Sequence, residues 1–127
     1  MRPIPLKLRE RMESDPEMHV CIYSHFPHGF PFTQVNDCMD EFGNRPGRAE
    51  WEHAFIYAGK QINEWWAIIG VCWFHHRGPG LNKDYNKYRA LMRMSEKDFD
   101  EAQIKYPKDD WRKISLKLIN KFENLND

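Results

Sequence analysis

Residues 51–76 run WEHAFIYAGKQINEWWAIIGVCWFHH, and their reading decides the fold. Residues 49–57 and 65–71 are rich in aromatic and β-branched side chains, a composition suited to two strands. Ala58-Gly59-Lys60-Gln61-Ile62-Asn63-Glu64 separates them, so the expected unit is a hairpin with a long loop. The apolar run then passes into Cys72-Trp73-Phe74-His75-His76 and meets Arg77-Gly78-Pro79-Gly80. Pro79 and the two glycines interrupt a regular helix, so any helix carrying His75 and His76 is short or bends.

On the N-terminal side the chain is loop-rich. Pro3 and Pro5 discourage a helix at the start, which predicts an arm over residues 1–17 ending in at most a turn of helix. Residues 18–22 suit a short strand; Pro27, Gly29, Pro31 and Gly43-Asn44-Arg45-Pro46-Gly47 signal loops. A stretch this irregular needs something beyond helices and sheets to hold it, and a bound metal is one candidate. On the C-terminal side the pattern is helical. Residues 83–93 present Tyr85, Tyr88, Leu91 and Met92 as an apolar stripe, Ser95 is a candidate N-cap with Asp98 three residues on, and Tyr106-Pro107 ends that helix. A last helix over residues 109–122 displays Trp111, Ile114, Leu118 and Phe122 on one face. The fold class is α+β in one domain over residues 1–127.

With 127 residues, 41% hydrophobic and 30% charged, the chain can build one sizeable core and does not read as disordered. No stretch approaches the roughly 18 apolar residues of a membrane span, and the start lacks the apolar run of a secretion signal, so no membrane role and a cytoplasmic location are expected. The three cysteines, Cys21, Cys38 and Cys72, cannot all pair with one another, which favours burial or metal binding over disulfides. Net charge is zero, yet residues 1–76 hold 7 Lys+Arg against 10 Asp+Glu and residues 77–127 hold 12 against 9. That small basic excess permits contact with phosphates without demonstrating it.

The chemistry-bearing residues lie in the opening stretch: Glu52-His53, Asn63 ten positions on, and Cys72-x2-His75 running directly into His76. An acidic residue beside a histidine, a central asparagine and a histidine after a knuckle resemble the HNH, or ββα-metal, endonuclease family. The longer run 51–64 with Trp66-Ala67-Ile68-Ile69, then Leu81-Asn82-Lys83 and Tyr85-Asn86, is similar to small HNH proteins of bacteriophages and prophages, over about residues 18–94. The resemblance implies a ββα-metal core over residues 18–80, a helical extension over 81–127, and a phage or bacterial-host setting. It implies hydrolysis of DNA phosphodiesters, with His53 as general base, Asn63 orienting it, and Glu52 and His76 holding Mg2+ or another first-row divalent ion. Arg77 and Lys60 are the candidates for holding phosphate. Two departures stand out: Ala67 occupies the place where the family's asparagine often lies, and Glu52 replaces the commoner aspartate.

Many family members also carry two cysteine knuckles. Cys72-x2-His75 looks like the second, whereas Cys21-Ile22-Tyr23-Ser24 puts a serine, a poor zinc ligand, in the first. Two readings are open. Cys21, Cys38, Cys72 and His75 form a structural Zn2+ site, with His25 or His28 as substitutes, or the site is lost and apolar residues fill it. Trp65, Trp66, Trp73 and Phe74 read as core, and the lysines and arginines of the last helices as a solvated face. The alternative to an enzyme is an HNH-derived module, weakly active or inactive, that binds nucleic acid or a protein partner; a purely structural zinc domain is a third reading.

Overall fold

A computed structural model describes residues 4–22 and 38–123 of the chain; His25, His28 and the loop signals at Pro27, Gly29 and Pro31 lie outside them. The architecture is α+β. Its centre is an antiparallel pair, β1 (Glu50–His53) and β4 (Ile68–Val71), in the register Glu50↔Val71 to His53↔Ile68. Inside the connection lies a second pair, β2 (Ile56–Tyr57) and β3 (Lys60–Gln61), which the single long loop expected from sequence did not contain. Ala58 and Gly59 both take positive φ, +51° and +79°, which is the backbone a two-residue hairpin turn requires.

The run Ile68-Ile69-Gly70-Val71 is continuously apolar because it is buried on both faces. Ile69 and Val71 join the main core, while Ile68 packs with Met12 and Met18 on the other side. Gly70 is needed there: a Cβ would come within 3.0 Å of the Met18 carbonyl oxygen. That carbonyl belongs to a 3-10 turn, Pro16–His19, where a strand was expected. Asp15 caps the turn by accepting the Glu17 N–H, and Pro16 starts it, so local capping outweighs the strand propensity of the following residues. The expected arm also differs. Pro5 sits just ahead of the first turn, where a missing N–H costs nothing, and Leu6–Glu13 form helix α1, which docks through Met12 and Leu8.

After β4 comes α2 (Trp73–His76), a single turn, as the glycines and Pro79 demand; a Cβ on Gly80 would lie 2.2 Å from the Phe74 ring. Three helices follow, α3 (Lys83–Leu91), α4 (Glu96–Lys105) and α5 (Trp111–Glu123). Asn82 caps α3, and Ser95 and Asp98 form a reciprocal capping box on α4. Tyr85, Tyr88 and Leu91 are buried as the stripe predicts, but Met92 is at the end of α3 and 49% exposed. Trp111 and Phe122 of α5 anchor an aromatic core in which Phe55, Trp66 and Tyr106 meet Trp111 edge to face. Among the described residues, no helix is long and apolar enough to cross a membrane.

Candidate metal and hydrolytic site

Alternation along β1 decides which side chains share a face. Glu50 and Glu52 point one way, and Trp51 between them points the other, where its indole N–H donates to the Met18 carbonyl at 2.8 Å. Opposite the two glutamates, at the end of α2, stands His76. Its Nδ1 is 2.6 Å from Glu50 Oε1 and donates to it, and its Nε2 lies 3.9 Å from Glu52 Oε1. Glu50 is anchored in turn by Arg77, which donates to both carboxylate oxygens at 3.1 and 2.7 Å. The Arg77 hydrogen bond holds the Glu50 carboxyl below its usual range.

Glu52 has a different environment. Burial raises its carboxyl above the ordinary value, against the opposing pull of a hydrogen bond from Asn86 and the charges of His76 and Lys83. Asn86, buried on α3, donates to Glu52 Oε2 at 2.6 Å. The carboxylate is therefore held on one oxygen by α3 while the other faces His76.

His53 ends β1. Its Nε2 donates to Asn63 Oδ1 at 2.8 Å, so in a neutral ring the lone pair is on Nδ1. The nested hairpin makes this contact. Ile62 N–H bonds the Phe55 carbonyl and Ala54 N–H bonds the Ala67 carbonyl, so the chain turns back and delivers Asn63 to His53. Glu52 and His53 both border a cleft of about 660 Å³ walled by α3 and α5. Arg77 and Lys60, the phosphate candidates, do not border it; Arg77 is engaged with Glu50, and Lys60 is exposed at the start of β3.

Behind α2 lies a second cluster. Cys21, Cys38, Cys72 and His75 place their donor atoms within 4.8 Å of one another, and none of the thiols is in a disulfide. His75 Nδ1 is 3.2 Å from Cys72 Sγ, 3.6 Å from Cys21 Sγ and 3.7 Å from Cys38 Sγ. A tetrahedral ion with bonds of about 2.1 Å to nitrogen and 2.3 Å to sulfur holds such donors about 3.5 Å apart, so these four residues can hold one metal ion. Backbone ties bring them in from distant segments: Ala49 N–H bonds the His19 carbonyl near Cys21, and Phe74 N–H bonds the Met39 carbonyl beside Cys38. Hydrogen bonds with Cys21 and Cys72 hold the Cys38 proton on, and contacts with Cys21 and Cys38 drive Cys72 toward the thiolate. His75 is 1% exposed, too deep for a surface role.

Two members of the first site were missed from sequence. Glu50 is legible in principle, because Glu50-Trp51-Glu52 on a strand puts both carboxylates on one face. Asn86 is not, since 34 residues separate it from Glu52 and only the docking of α3 unites them. No protein family, curated protein or solved structure matches the chain.

Proposed function

We propose that the chain is a metal-dependent DNA endonuclease of the HNH kind, with β1, β4 and α2 as its ββα-metal core. One observation carries the reading: Glu52 Oε1 and His76 Nε2 converge to 3.9 Å, and His53, the following residue, borders the same cleft as Glu52 with its Nε2 committed to Asn63. Two ligands on one ion with bonds of about 2.1 Å stand about 3 Å apart when adjacent and about 4.2 Å when opposite, so the Glu52–His76 spacing fits a shared divalent ion.

Bound between Glu52 and His76, a Mg2+ or other first-row divalent ion supplies Lewis-acid polarisation of the phosphate and charge stabilisation of the leaving oxygen. The chain supplies the rest. His53 Nδ1 takes the proton from an attacking water as its oxygen bonds to phosphorus and the phosphodiester P–O bond breaks. Asn63 keeps the imidazole in the tautomer that can accept that proton. Glu50 aims His76 and Asn86 aims Glu52, the outer hydrogen bonds that orient metal ligands generally. For the buried cluster we infer structural Zn2+, because three cysteines and an imidazole with no open position suit a closed zinc site.

The test is cleavage of plasmid DNA by the purified, zinc-loaded protein with added Mg2+, Mn2+ or Ni2+. Nicking or cutting is expected, with His53→Ala abolishing it while the melting curve is unchanged. Inertness of the wild type with all three ions would sink the nuclease reading; a stoichiometric protein partner recovered alongside would favour a binding module.

A further inference from the structure

The cleft on which Glu52 and His53 open has an asymmetric lining. Its far wall carries Lys83 and Lys87 on α3 and Lys117 and Lys121 on α5, two pairs each spaced by four residues. At that spacing two side chains leave a helix on one face, with Cβ atoms about 5–6 Å apart. Among the described residues, no carboxylate lies within ion-pair distance of Lys83, Lys87 or Lys117. Lys121 pairs with Asp84 at 2.8 Å, and both groups are about half exposed. Asp84 and Asp109 are the other acids on the lining, so the lysines outnumber the carboxylates around Glu52. The floor is apolar, from Phe55 to Leu118, with Ile56 70% exposed at the edge.

We propose that this wall is the DNA-binding track of the protein: Lys83, Lys87, Lys117 and Lys121 hold successive backbone phosphates of DNA and lead the strand across the apolar floor to Glu52 and His53. The inference rests on the nuclease reading and names the surface by which that site takes its substrate. It replaces the reading of these lysines as a plain solvated face. A solvated face has no reason to gather lysines from two helices around one cleft, with the candidate hydrolytic residues at its end. Ionic pairing with phosphates releases counterions, so removing one lysine–phosphate pair lowers the slope of log affinity against log salt by about 0.9. The apolar floor matches the deoxyribose surface between phosphates, which a binder of free phosphate does not need.

The test is fluorescence anisotropy with a short labelled DNA duplex, on the zinc-loaded protein with no divalent ion added, so that binding is read apart from cleavage. The Lys87→Gln/Lys117→Gln variant is compared with Lys7→Gln/Lys97→Gln, which removes the same charge from α1 and α4. The cleft variant is expected to bind more weakly and to lose about 2 from the salt slope, so that its deficit shrinks about tenfold between about 50 and 200 mM salt. The control is expected to keep the wild-type slope. A cleft variant that binds with the wild-type slope overturns the track, while plasmid cleavage by the wild type leaves the nuclease reading standing. Salt-dependent binding through the cleft without cleavage under any ion keeps the track and removes the nuclease. Competition by polyglutamate as strong as by unlabelled DNA overturns the track, since the wall would then read only negative charge.

Discussion

Two neighbouring clusters of polar side chains hang on the same single turn of helix, and they are built in opposite ways. His75 turns inward from α2 to Cys21, Cys38 and Cys72, where four donors surround one point and the histidine is 1% exposed. His76, the next residue, turns outward between Glu50 and Glu52, and Glu52 borders a cleft. A closed set of four ligands leaves no position for substrate and suits structure; a site with few protein ligands leaves positions for water and phosphate and suits chemistry. Because α2 is four residues long, the packing of His75 in the closed cluster and the placing of His76 beside Glu50 and Glu52 are set on one turn.

Breaking the closed cluster is therefore the largest perturbation. Cys72→Ala, or stripping the metal with a strong chelator, is expected to abolish cooperative melting. Structural zinc in small domains is worth on the order of 10 kcal/mol, comparable to the whole stability of a domain. Circular dichroism melts with elemental analysis check this; a Cys72→Ala protein that melts as the wild type does would show the cluster to be a plain buried core. Next in size is His53→Ala in the open site, expected to lower cleavage by about 10²–10⁴-fold, the usual contribution of a general base, at an unchanged Tm. Unequal effects on activity and stability at these two positions are the sharpest expression of the comparison.

Smaller effects probe how the open site is aimed. Glu50→Gln removes the carboxylate that accepts from His76 Nδ1 and is expected to raise the Mg2+ concentration needed for cleavage by about 10–100-fold. Titration of activity against Mg2+ reads this, and an unshifted requirement would show that Glu50 serves only Arg77. The smallest effect concerns pH. Burial raises Glu52 above its ordinary 4.5, so the folded protein holds that proton more tightly than the unfolded chain does. The resulting stability is full below pH 4.5 and is lost as pH rises from there through the folded value. Without a divalent ion, Glu52→Gln should raise Tm by a few degrees at neutral pH and leave it unchanged below the ordinary carboxyl range. Added Mg2+ should reverse the order by stabilising only the wild type. A lower Tm for Glu52→Gln in ion-free neutral buffer would contradict the burial argument.

Legibility follows sequence distance. The capping box at Ser95 and Asp98, the end of α4 before Tyr106-Pro107, the shortness of α2 and the stripe of α5 were all readable, because each rests on contacts within a turn or two. The same kind of reading failed at residues 16–19, where Asp15 and Pro16 wind a 3-10 turn, and at α1, which the prolines before it seemed to forbid. At the turn the deciding contacts are local, the Asp15 cap and Pro16, whereas α1 is settled by the tertiary packing of Met12 on Ile68.

By itself the sequence determined the β-β-α order of the centre, the helical C-terminal third, and the small set of cysteines, histidines and carboxylates that could bind metal. Periodicity, capping and residue chemistry act locally, so one chain suffices to read them. Only the tertiary structure decided which of those residues meet. Among the described residues, Cys38 stands with Cys21, Cys72 and His75. Asn63 reaches His53 because a nested hairpin shortens the path, and Asn86 and the lysines of α3 and α5 face Glu52 because two helices dock beside β1. Those meetings join residues 10 to 69 positions apart, from His53 with Asn63 to Glu52 with Lys121, and only the packing of the whole core brings such distant segments together.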